Sequence, residues 1–143
     1  MKEKLKSAMK EAMLSKDKVR LETVRGLMSA VQYEVLQKRV DDLNDSGYAE
    51  VLQREIKKRR EALEFAEKGD RPDMVTRNKT EIAVIQEFLP KQLSGAEIEK
   101  IVADIKQKNP QANMGLVMKT LKEKHSGQYD AKLASEIAKK IAG

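Results

Sequence analysis

Phe88-Leu89-Pro90-Lys91-Gln92-Leu93-Ser94-Gly95-Ala96-Glu97 is the stretch that decides how this chain is organised. Proline lacks an amide hydrogen and disfavours helical backbone in the residue before it, so a helix running up to Leu89 stops at Pro90. Ser94 and Glu97 have the spacing of a capping box. In that motif the serine hydroxyl accepts from the N–H three residues on, and the glutamate accepts from the serine's own N–H. One helix therefore closes and another opens within a few residues. This predicts an N-terminal helical domain over residues 1–92 and a C-terminal domain over residues 93–143.

Upstream, apolar residues recur at steps of three and four, the period of a helix with one buried face. Leu5, Ala8, Met9, Ala12 and Met13 mark a helix over about residues 2–14, and Leu21, Val24, Leu27, Met28, Val31 and Val35 mark one over about 18–38. Asp17 suits the N-cap between them. A polar turn over residues 41–47 leads to a third helix over about 48–68. Its stripe is Tyr48, Leu52, Ile56, Leu63 and Ala66, and Arg59 falls inside it by phase. A guanidinium placed there needs a carboxylate or carbonyls to offset its desolvation. Pro72 opens a fourth helix ending at Pro90. Downstream, three shorter helices carry Ile98, Ile101, Val102 and Ile105, then Met114, Val117, Met118 and Leu121, then Leu133, Ile137 and Ile141. No segment sustains an alternation of period two. The fold class is all-α: an N-terminal long-helix domain of about four helices plus a small C-terminal three-helix bundle.

Hydrophobic residues make up 40% of the 143 and aromatic ones only 3%, so the core is aliphatic. There is no cysteine and His125 is the only histidine, so thiolate chemistry and multi-histidine metal sites are excluded and no metal is expected. No glycine-rich phosphate loop follows a strand, and no serine has triad support. Catalytic residues and cofactors are accordingly expected to be none. The first fourteen residues have no apolar run of the signal-peptide kind, and no stretch approaches the ~18 apolar residues of a membrane span. The expected location is cytoplasmic, with no membrane among the partners.

Lysine and arginine exceed aspartate and glutamate by 29 − 23 = 6, and the excess is uneven. From Lys106 to Gly143 there are eight lysines against Glu123, Asp130 and Glu136, a net of 8 − 3 = +5. The turn Lys124-His125-Ser126-Gly127-Gln128-Tyr129 combines cations, hydrogen-bond donors and one aromatic ring, a mixture suited to an RNA backbone with a base stacked on the ring. The candidate RNA contacts are Lys119, Lys122, Lys124, His125, Tyr129 and Lys132. Gly115, in the first turn of its helix, is a weaker candidate for an anion site, since N–H groups are exposed there. The basic run from Arg54 to Arg60 spreads round its helix and reads as solvated surface.

Val51-Leu52-Gln53-Arg54-Glu55-Ile56-Lys57-Lys58-Arg59-Arg60-Glu61-Ala62, Phe88-Leu89-Pro90-Lys91-Gln92-Leu93-Ser94 and Met114-Gly115-Leu116-Val117-Met118 occur in an order that resembles the YqeY family. That family is related to the tail of the B subunit of the tRNA-dependent glutamyl/aspartyl amidotransferase. The resemblance implies a non-catalytic tRNA-binding accessory module, with tRNA as partner. The alternative is a protein-interaction adaptor without RNA binding, with a protein partner. A carbon–nitrogen ligase activity attaches to such chains by inheritance, and no residues here support it. The family usually has lysine where this chain has Leu116, which removes one cation from the expected tRNA face.

Overall fold

The computed structural model describes residues 1–143. Seven helices follow in order: α1 (Lys2–Ser15), α2 (Lys18–Lys38), α3 (Asp45–Lys68), α4 (Pro72–Gln86), α5 (Gly95–Lys108), α6 (Met114–Lys124) and α7 (Ala131–Ala142), with no strand. They form two compact units, Met1–Leu89 and Pro90–Gly143.

In the first unit α3 packs on α4, and α2 packs on α1, α3 and α4. The core is the aliphatic one that the composition requires, with Leu5, Val24, Leu27, Leu52 and Ile85 at or near zero exposure and Phe88 closing it. Each such side chain contributes roughly 1.5–3 kcal/mol on leaving water. α3 begins three residues earlier than its apolar stripe suggests. Asn44 is its N-cap, and the side-chain oxygen accepts from Gly47 N at 2.8 Å, so the polar turn is drawn into the helix. Gly47 is buried there, and a Cβ on it would stand 3.2 Å from Leu43 Cβ. The left-handed residue after α3 is Asp70 (φ 52°) instead of Gly69, whose φ is −86°.

Arg59 lies where its phase places it, largely out of water. Its Nη1 donates to Glu55 O at 3.0 Å and is 3.3 Å from Glu55 Oε1, one turn back on α3, while Nε is 3.8 Å from Glu81 Oε2 on α4. Nε is buried with no hydrogen-bond partner. Gly26, in the middle of α2, sits under this head, since a Cβ there would meet only Arg59 Nη2, at 3.8 Å.

The second unit is a bundle in which α7 packs on both α5 and α6. Its core is Ile98, Val102, Val117, Leu121, Ala134, Ile137 and Ala138. The capping box forms, with Glu97 N donating to Ser94 Oγ at 3.2 Å and Ser94 N to Glu97 Oε1 at 3.3 Å. A bundle of this size gains little apolar burial per residue, so local caps carry more of its stability than in a larger domain. Pro90–Gln92 group with this unit, three residues before the boundary expected from sequence. The cause is hydrogen bonding: Gln92 Nε2 donates to Gly127 O and Leu93 N to Gln128 O, each at 2.6 Å. The segment before α5 is thereby strapped to the α6–α7 turn, and it is not a free linker.

Candidate nucleic-acid interface

α6 forms because Asn113 caps it, its side-chain oxygen accepting from Leu116 N at 2.9 Å, and because Met114, Val117, Met118 and Leu121 share the core-facing side. At 3.6 residues per turn, Gly115, Lys119 and Lys122 (steps of four and three) run along one flank, while Lys124 comes round to the other. Lys119, Lys122 and Lys124 are all exposed. Lys132 is exposed in the first turn of α7, where Asp130 Oδ1 accepts from its backbone N–H at 3.1 Å. Lys139 follows at the seventh position on the same side, with Glu136 between them. The six candidates therefore do not make a single line: Lys119 and Lys122 form one pair, and Lys124, His125 and Tyr129 share the turn that leads to Lys132.

That turn is ordered from within. His125 N donates to Leu121 O, Gln128 N donates to His125 O at 3.0 Å, and His125 Nδ1 lies 3.3 Å from Gln128 Oε1. Gly127 has φ 75°, a left-handed conformation that favours glycine, and its carbonyl takes the Gln92 side chain. Tyr129 is half-buried and packs against the Ile98–Leu121–Ile137 cluster, so its ring serves the core on at least one side. Gly115 is exposed, and the only atom a Cβ there would approach is Asn113 Oδ1, at 3.4 Å. Close helix packing is therefore not the reason for this glycine. Leu116 is 39% exposed, on the surface rather than in the core.

The cations of the two units stand in different company. In the first, Arg20 pairs with Glu87, Lys38 and Arg54 with Glu34, Lys58 and Arg59 with Glu55, and Arg77 with Glu22. The hydrogen bond from Arg54 holds the Glu34 carboxyl below its ordinary pKa, and the one to Glu22 raises Arg77. In the second, ten lysines face six acids, and the only ion pair is Lys108 with Asp104 at 3.2 Å. Lys106 donates to Ala112 O instead. Lys91 is an exposed cation that sequence reasoning passed over. It precedes Gln92, whose bond to Gly127 belongs to the tertiary structure, and no sequence signal marks that bond. Lys139 and Lys140, exposed in the last turn of α7, add to the charge of this unit away from the α6–α7 turn.

A cavity of about 80 Å³ is lined by Lys2, Leu5, Met28, Asp42 and Tyr48 among others, and a more open cleft of about 460 Å³ by Glu3, Lys4, Glu11, Arg20 and Glu87 among others. Ligand sites usually need at least ~300 Å³, which the first does not reach. Burial and the hydrogen bond to Asp42 push the Tyr48 hydroxyl up to about 12, and that bond lowers Asp42.

A family model described as "Yqey-like protein" matches residues 2–141. A protein of Lachancea thermotolerans named "Altered inheritance of mitochondria protein 41, mitochondrial" is 31% identical over 112 residues, 74% of this chain and 60% of that protein. Proteins of the same name from Kluyveromyces lactis and Eremothecium gossypii are 28% and 27% identical, over 60% and 54% of their lengths. The chain thus spans about three fifths of the curated relatives it matches. Their names overturn the expectation of a cytoplasmic location. That expectation rested on the missing apolar run of a secretory signal, and mitochondrial addresses use amphipathic, basic segments that such a test does not see.

Proposed function

The chain belongs to the Yqey-like protein family, and from that premise we propose that it is a non-catalytic accessory module that holds a folded RNA, tRNA foremost, by the lysine surface of residues 90–143. The observation that carries this reading is the disparity in charge pairing. Lys119, Lys122, Lys124 and Lys132 are exposed without a carboxylate partner, and one of the ten cations of this unit is paired, against six of nineteen in the first. Lysine ammonium groups are flexible point charges, suited to phosphate more than to base edges. The module therefore reads charge and shape, with little sequence preference.

The likeness to the amidotransferase tail supports tRNA over other RNAs. A tail of that kind helps hold the tRNA while the body of its subunit modifies the aminoacyl end. The six contacts we assign are Lys119, Lys122, Lys124, His125, Tyr129 and Lys132. His125 and Tyr129 act chiefly by shaping the turn, because both are partly buried.

Titration of tRNA by gel shift at several salt concentrations tests this. Affinity should fall steeply with salt, and each lysine replaced by glutamine should lower the slope of log K against log salt by roughly 0.7–0.9. Lys119→Gln/Lys122→Gln should lose affinity where Arg54→Gln/Lys58→Gln does not. A salt-independent interaction, or equal losses from both pairs, would rule the surface out.

A further inference from the structure

A second concentration of cations lies at the other end of the chain. Residues 1–18 hold Lys2, Lys4, Lys6, Lys10, Lys16 and Lys18 against Glu3, Glu11 and Asp17, a net of 6 − 3 = +3. Over residues 19–89 the count is 13 basic to 14 acidic, a net of −1. None of those six lysines has an ion-pair partner.

At the end of α1 stand Met13, 51% exposed, and Leu14, 85% exposed, the latter the most exposed large apolar side chain in the molecule. Lys6, Lys10 and Leu14 follow one another at steps of four, with Met13 three residues after Lys10, along the side of α1 away from the buried Leu5, Ala8 and Ala12. Lys16 then takes the left-handed cap (φ 59°) and Lys18 opens α2. Asp17, between Lys16 and Lys18, is engaged as N-cap, accepting from Arg20 N at 3.1 Å. An aliphatic pair thus projects at a turn among four unpaired lysines.

Phosphate contact alone would use the lysines and leave Leu14 with no role in water. A lipid surface uses both: headgroup phosphates face the ammonium groups and the acyl boundary takes the leucine and methionine. We propose that the α1–α2 turn is a peripheral contact site for an anionic phospholipid surface. This departs from the sequence expectation of no membrane partner, which came from the absence of a spanning segment. The exposure of Leu14 is a property of the fold. The site lies in the first unit and does not rest on the RNA reading.

Co-sedimentation of the full chain with vesicles of phosphatidylcholine, and of phosphatidylcholine with phosphatidylserine, tests the proposal. The chain should partition onto the anionic vesicles and not the neutral ones. Leu14→Ser should weaken partition roughly tenfold, and Lys6→Gln/Lys10→Gln roughly tenfold or more. Leu36→Ser, which alters an exposed leucine outside the patch, should change nothing, and thermal melts should confirm that every variant is folded. The proposal is overturned if anionic vesicles do not bind, or if Leu14→Ser binds them as the parent does. It is equally overturned if Lys6→Gln/Lys10→Gln lowers tRNA affinity while leaving vesicle partition intact, since the lysines would then be an RNA surface. Loss of tRNA binding by the second unit's lysines leaves all these readings unchanged.

Discussion

Replacing Arg59 by methionine keeps the aliphatic stem in place and removes the guanidinium that joins α3 to α4. The side chains of Arg59, Glu55 and Glu81 are 17%, 12% and 15% exposed, so both carboxylates are largely out of water. Removing one partner of a fully buried ion pair costs roughly 3–5 kcal/mol. Here the cost should be smaller, for three reasons. Glu55 keeps Lys58 at 3.1 Å, Glu81 keeps Arg77 at 3.8 Å, and the desolvated, unpartnered Nε disappears with the side chain. A loss of about 2 kcal/mol follows for the first unit, roughly half the full penalty. For a unit of this size that is a fall of about 10 °C in Tm. Urea unfolding followed by circular dichroism reads it as a lower midpoint at unchanged slope. Adding Glu81→Gln should restore part of the loss, because a largely buried carboxylate then no longer depends on Arg77 alone. Lys57→Met, an exposed position on the same helix, serves as control. If Arg59→Met unfolds at the same midpoint as that control, the guanidinium does not hold α3 to α4 and the electrostatic argument fails.

Three further outcomes follow from named contacts. Gly26→Ala should stabilise the first unit by about 0.5–1 kcal/mol, because α2 is regular there and the new methyl meets only Arg59 Nη2 at 3.8 Å; a lower unfolding midpoint would show that the guanidinium needs that space. A pH titration of tyrosinate absorbance should show one of the three tyrosines ionising near 12, and Tyr48→Phe should abolish that step. Because the folded value is raised, Tyr48 favours the native state fully below its unfolded value of about 10 and loses that contribution as pH climbs through 12, so the fall in stability between pH 10 and 12 should be smaller in Tyr48→Phe than in the parent. Gln92→Ala should destabilise the second unit by about 1 kcal/mol through loss of its bond to Gly127 O, with faster hydrogen exchange at Gln128; unchanged exchange there would show that the strap does not hold the turn.

The elements that could be read from the sequence are those whose determinants are neighbours along it. The Ser94–Glu97 box, the Asp17 cap and the three-and-four spacing of Leu and Ile act within a turn or two of backbone, so they specify helices and their starts wherever the chain goes; α4 ends at Gln86, with tighter turns over 87–89 before Pro90. α3 started early because a cap four residues upstream of Tyr48 outweighed a polar stretch that resembles a turn. The candidate interface was legible as composition, in the lysines after Lys106, but not as arrangement. Which lysines keep a free charge depends on whether a carboxylate from elsewhere reaches them.

The sequence by itself determined an all-helical, aliphatic-cored protein with its break near Pro90, and it put Arg59 on a buried face, because periodicity and caps are local physics. Only the tertiary structure decided that Arg59 answers to Glu81 as well as to Glu55, that Gln92 straps the α6–α7 turn, that Tyr129 packs on the core, and that Leu14 stands in water among unpaired lysines. Each of these depends on which surfaces meet across long separations in the chain, and burial and charge pairing are properties of that meeting.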